Sequence, residues 1–170
     1  MKEVLHKAPL GIDALEQYLP KSLDEIIRAR RDECSLRLST PEELASLKPM
    51  VSKLANAKHI KATINEWRII CLTLPSGKAH ILTGVNESSQ EAWATSSIVS
   101  ADFENHLVLT DNSIYRLGTK GEGEPHLSIL LHICHIFHSW GFGPRSNNCR
   151  CIASSLRSVT SCAEAPVSSR

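Results

Sequence analysis

The stretch HLSILLHICHIFHSWGFG, residues 126 to 143, carries His126, His132, His135 and His138, with Cys134 among them. Imidazole and thiolate are the usual ligands of zinc, which takes three or four of them in a tetrahedral arrangement. Imidazole also titrates near neutrality and can move protons. On a helix, at about 100° per residue, Ser128, His132, His135 and Ser139 fall on one narrow strip. His132 and His135 are therefore the pair that could share a zinc ion, while His138 projects among leucines. Further ligands would have to come from elsewhere, for example His80, His106, Cys149 or Cys151. The CRC run is too tight for the usual C-x₂₋₄-C knuckle. The simpler reading has the seam histidines meeting water, backbone carbonyls or a partner surface.

Other residue groups invite chemistry in the same way. In LGTKGEGEP, Glu122 and Glu124 sit among glycines before a helix, where paired carboxylates could hold a hard cation or act as acid and base. No phosphate-binding G-x-x-x-x-G-K-[ST] pattern is present, and acids there would repel an anion. The plainer use of these acids is to satisfy helix amides. Cys71 and His80 could meet across a hairpin as nucleophile and base, but Cys71 alternates with Trp67 and Ile69, which points to a buried face. Arg28, Arg30 and Arg31 are the candidate nucleic-acid contacts. On a helix they spread over more than one face, and Asp32 and Glu33 follow at once, as on a solvated, internally paired surface. Lys53, Lys58 and Lys61 with His59 form a second basic cluster. No nucleophile elbow, H-E-x-x-H pair or dinucleotide fingerprint occurs.

The elements that must position these residues follow from periodicity and end signals. Residues 1–60 read as helical. Ser22 with Glu25 has the form of a capping box, and Thr40, Pro41 and Glu43 supply a cap, a first-turn proline and an acid at the positive helix end. Leu44, Leu47, Val51 and Leu54 recur at helical spacing, with a kink or break expected at Pro49. Between residues 63 and 118 the pattern alternates: EWRIICLTL, AHILTGV, ATSSIVSADF, LVLT and IYRLG are separated by PSGK, NESSQE, ENH and DNS. Short polar turns cannot hold a crossover helix, so these segments predict a four- or five-stranded antiparallel meander. A helix over 125–140 follows, opened by Glu124 and Pro125 and closed by Gly141 and Gly143. It is apolar around most of its circumference, which predicts near-complete enclosure apart from the histidine seam. The fold class is α+β, one domain over residues 1–143, with the helices covering one face of the sheet. Residues 144–170, rich in serine and arginine, read as a flexible tail.

Composition bounds the setting. The chain has 170 residues and a formal net charge of +1, so no global basic field exists to hold a nucleic-acid backbone or an acidic membrane. Glu3, His6, Lys7 and Asp13 interrupt any signal-peptide core, and no run is long enough to span a bilayer. A cytoplasmic location with reduced thiols is the expectation.

In the segment TSSIVSADFENHLVLTDNSIYRLG, the residues Ser96, Ser97, Ile98, Val99, Asp102, Thr110, Tyr115, Leu117 and Gly118 match a pattern. It resembles small bacterial proteins from mobile genetic elements such as phages, plasmids and gene cassettes. Where such sequences often carry a glycine in the last turn, this chain has Asn112 and Ser113; asparagine tolerates the same left-handed backbone. The resemblance implies an accessory product and carries no activity, so no catalytic residue follows from it. The expectation is a non-enzymatic protein that acts by contact with a protein partner or as a homodimer. The alternative is a metal-dependent or nucleic-acid-binding protein built on His132, His135, Glu122 and Glu124.

Overall fold

The computed structural model of the protein describes residues 19–49 and 59–141. A short helix α1 (Leu23–Ile26) runs into a one-turn 3₁₀ segment (Arg28–Arg30), then strand β1 (Ser35–Leu38) and helix α2 (Pro41–Ala45). Five strands follow: β2 (Ile60–Leu74), β3 (Gly77–Asn86), β4 (Ala92–Asp102), β5 (Leu107–Thr110) and β6 (Ile114–Leu117). Helix α3 (Leu127–Ser139) ends the described chain. Both helix starts carry the caps their sequences predict. The Ser22 hydroxyl accepts from the Glu25 amide. Thr40 and Glu43 close a reciprocal capping box over Pro41. Helix α2 stops at Ala45, short of Pro49, whose backbone instead bridges to Ala101 in β4.

The chain is α+β, but its sheet is not a simple antiparallel meander. The four predicted turns all join antiparallel neighbours from β2 to β6. Four reversals leave the first and fifth strands running the same way, so closing the ring requires a parallel pair. That pair is β2 with β6, registered from Ile60 opposite Ile114 to Ile64 opposite Leu117. The result is a five-stranded barrel within a mixed sheet of six strands. The sixth is β1, which adds to the far half of β2 from Ser35 opposite Thr73 to Leu38 opposite Ile70. It arises inside the region expected to be wholly helical.

Two strands bend to serve the barrel. In β2 the register shifts between Asn65 and Arg68, where Glu66 takes a left-handed φ of 48°. Strand β4 pairs with β3 through its first half and with β5 through its second. At the β2 bend Gly84 is forced: a Cβ there would lie 2.5 Å from the Asn65 carbonyl and 2.6 Å from Ile64.

Each face of β2 meets a separate core, which explains why Ile69, Ile70, Cys71 and Leu72 are all buried instead of alternating. On one side Ile64, Ile69, Leu82, Val108, Tyr115 and Leu117 fill the barrel, with Leu44 and Leu47 packed against them. On the other side Leu36, Ile70, Leu72 and Ile81 receive Leu23 and Ile27 of the α1 region and Ile129, Leu130, Ile133 and Phe137 of α3.

Candidate functional site

Helix α3 begins where Pro125 and His126 set an extended entry, and it ends where Gly141 turns at a φ of 87°. Its buried residues, Ile129, Leu130, Ile133 and Phe137, form one stripe at helical spacing. The expectation of near-complete enclosure is therefore corrected. The helix lies as a single outer layer on the sheet, so one stripe satisfies the fold and the opposite side faces outward. Leu127, Ser128, His135, Ser139 and Trp140 are exposed, and Leu131, His132, Cys134, Ile136 and His138 are half-buried. Among the described residues three large apolar side chains stand well into solvent: Val99 at 45%, Leu127 at 43% and Trp140 at 48%. Two of the three bracket α3. A shallow cleft lined by Leu19, Pro20, Lys21, Pro125, Leu127 and Leu130 extends the apolar surface past the helix start.

The seam histidines part company on this surface. Burial pushes the His132 pKa down, His135 adds to that, and Glu91 in the β3–β4 turn opposes it. His138 lies on the other flank, lowered by burial and by His135. His135 stands between them in solvent. Among the described residues no three His, Cys, Asp or Glu side chains are grouped to hold a metal ion. Cys149 and Cys151 lie outside the described residues.

Glu122 and Glu124 serve the loop that leads into α3 instead of facing the seam. Arg68, a residue 6% exposed, donates from its guanidinium to the carbonyls of Glu66, Glu122 and Gly123 at 2.9, 2.7 and 2.8 Å. The same loop is laced to the β2 bulge: the Trp67 amide donates to the Thr119 carbonyl, and the Gly121 amide donates to the Trp67 carbonyl. The Glu124 carboxylate accepts from the Leu23 amide at 3.0 Å and so caps α1, a helix distant in sequence. The sidechain of Glu122 is exposed.

Arg28, Arg30 and Arg31 fall on and just after the 3₁₀ turn. Arg30 donates to the Glu33 carboxylate and to the Gly141 carbonyl at the end of α3. Arg31 pairs with Asp24, and Arg28 is exposed. Of the second basic cluster, Lys53 and Lys58 lie outside the described residues, His59 is exposed, and Lys61 stands 5.8 Å over the Trp93 ring.

Cys71 and His80 are direct cross-strand partners. Around them the fold assembles a cluster that local sequence patterns do not reveal, because its members come from β1, α2, β2 and β3. Glu43 accepts from Arg37 at 2.8 Å twice, from Lys78 at 2.9 Å and from the Thr40 amide at 3.0 Å. Those donors, Arg37 first, hold the Glu43 carboxyl far below the ordinary carboxylate range. Ser39 Oγ and His80 Nδ1 are 3.0 Å apart, and burial lowers the His80 pKa. A carboxylate so engaged is a poor base, and the Cys71 thiol is 0% exposed, whereas a nucleophilic thiolate must be reachable. The arrangement ties α2 to the strands beneath it.

Comparison with protein-family models, with curated proteins and with solved structures returned no match.

Proposed function

We propose that the chain is a non-enzymatic binding protein that works by contact with another protein through the outward side of α3. The observation that carries this reading is a helix whose outer side has no Asp, Glu, Lys or Arg and leaves Leu127 and Trp140 exposed. From Leu127 to Gly141 there is no Asp, Glu, Lys or Arg, although the chain has 18 acids and 19 Lys and Arg. A helix side that only meets water gains solubility from charge, and leaving Leu127 and Trp140 exposed works against that. The polar clusters elsewhere support the same reading, since Arg68 and Glu43 are saturated by neighbours and present no reactive group to solution. The resemblance over Thr95–Gly118, which spans most of β4 through β6, supports an accessory role within a mobile element.

The test compares affinity capture by the natural chain and by Leu127→Arg, both shown folded by circular dichroism. The reading expects a defined partner, a second copy included, that the natural chain retains and the variant loses by tenfold or more. Equal capture by the two overturns it.

A further inference from the structure

We infer that α3 is an acid-released cover, a helix that leaves the second core in mild acid while the barrel beneath it stays folded. The inference is independent of any partner. His132, His135 and His138 follow one another at three-residue spacing, and no Asp, Glu, Lys or Arg lies between Leu127 and Gly141 to balance them. His132 and His138 are half-buried, and His135, between them, is exposed. Packed on the sheet, the two half-buried rings are held neutral, by burial first and by His135 next. On a released helix all three rings meet water and ionise at about pH 6.5. Acid therefore draws the helix off the sheet.

The surrounding charges do not cancel this. Helix α3 packs on β3, β4 and the α1 region. Glu91, just before β4, favours the His132 cation, against the larger effect of burial. Of the other ionisable groups on those elements, Lys78 is paired with Glu43, His80 lies against Ser39, and Asp102 accepts from Asn105. Asp24 is paired with Arg31, Glu25 accepts from the Lys21 amide, and Arg28 and Asp32 are exposed. The negative end of a helix favours a cation, but Arg30 already sits on the Gly141 carbonyl, so His138 gains less from that end.

The two cores confine the release. Ile129, Leu130, Ile133 and Phe137 close the second core, and no residue of α3 belongs to the barrel filling. Glu43, which ties α2 to the strands, stays ionised well below the pH at which imidazole protonates. The start of the helix keeps its tether. Arg68 holds the Glu122 and Gly123 carbonyls, and His126 Nε2 lies 3.3 Å from Glu66 Oε2, a contact that protonation charges.

Amide hydrogen exchange of the full chain at pH 7 and pH 5, read by mass spectrometry and corrected for the intrinsic effect of pH, tests this. An imidazole neutral while docked and free to ionise on release shifts the balance by up to about tenfold for each pH unit below its free value. The α3 amides should therefore lose protection by about tenfold or more at pH 5, while those of β5 and β6 keep theirs. The double variant His132→Gln with His138→Gln, shown folded at pH 7 by circular dichroism, should hold its α3 protection across the same interval. Equal protection of α3 in the natural chain at the two pH values overturns the inference, with no variant needed. Loss of protection in β5 and β6 together with α3 also overturns it, because the response is then global. A folded double variant that still loses as much as the natural chain assigns the acid response to other groups, and the inference fails.

Discussion

Arg68 offers the sharpest check on how the barrel is joined to α3. The residue is 6% exposed, and its guanidinium holds three carbonyls of the β2 bulge and the loop before α3. Hydrogen bonds from a charged donor contribute about 1.5–3 kcal/mol each. Burying the charge offsets part of that, and the Glu122 and Gly123 carbonyls lie where water can replace the donor. Arg68→Ala should therefore cost about 3 kcal/mol, and Arg68→Lys should recover only a part, since an ammonium cannot span the fork. Gly121 presses on the same group: a Cβ there would lie 2.3 Å from Arg68 Nη1, 2.5 Å from its Cζ and 2.7 Å from the Glu66 carbonyl. Gly121→Ala should cost about 1–3 kcal/mol by overpacking. Two of those three clashes vanish when the guanidinium is gone. The double variant should then be more stable than the sum of the singles predicts, by about 1 kcal/mol or more. Urea unfolding followed by tryptophan fluorescence measures all four corners of the cycle. Additivity within about 0.3–0.5 kcal/mol would refute the claim that the loop is shaped around the guanidinium.

Acidification probes two other places. Glu43 is held below its ordinary value by Arg37, the Thr40 amide and Lys78, so the unfolded chain takes up the proton first as pH falls; the stability it contributes is complete above the ordinary carboxylate range and is lost progressively below it. Chemical denaturation from pH 6 to 2.5 should show Glu43→Gln losing less stability over that interval than the natural chain, and equal slopes would count against the ion cluster. His132 is neutral in the fold because burial, and then His135, lowers its pKa against the pull of Glu91. By the same sign its contribution is complete above about pH 6.5 and declines toward pH 5; His132→Gln should flatten the stability profile there, and an unchanged profile would mean that the imidazole is not sheltered.

What could be read from the sequence was what depends on neighbours along the chain. The turns at PSGK, NESSQE, ENH and DNS, the caps at Ser22 and Thr40, and the limits of the last helix are set by a few adjacent residues, and the structure has them in place. Barrel closure depends on Ile60 finding Ile114, and no local pattern records such a pairing. Strand β1 escaped because SLRL is four residues long and follows an arginine-rich turn that reads as helix. Glu43 was legible as a capping acid, but Arg37 and Lys78 reach it from separate strands. Around α3 the apolar residues occupy most positions, and a helical projection cannot say which side meets the sheet. The sidedness comes from Ile70, Leu72 and Ile81, which offer one surface and no second.

That last point bears on why α3 looks as it does. Strand β2 already has both faces covered, one by the barrel filling and one by the helices. The stripe of Ile129, Leu130, Ile133 and Phe137 completes the second core, with the Trp140 ring 5.5 Å from that of Phe137 at its edge, while Leu127 stands 43% exposed. A polar replacement of Leu127 would raise helix solubility at little cost to the buried stripe. The neighbouring segment of α1 and the 3₁₀ turn after it follows the ordinary rule, with Asp24, Glu25, Arg28 and Arg31 around two buried residues, Leu23 and Ile27. The two helices share one layer and one sheet, so the difference between their outer sides does not come from the fold. An outer side without charged side chains, on which Leu127 and Trp140 stand in solvent, is the feature of α3 on which the proposed contact role rests.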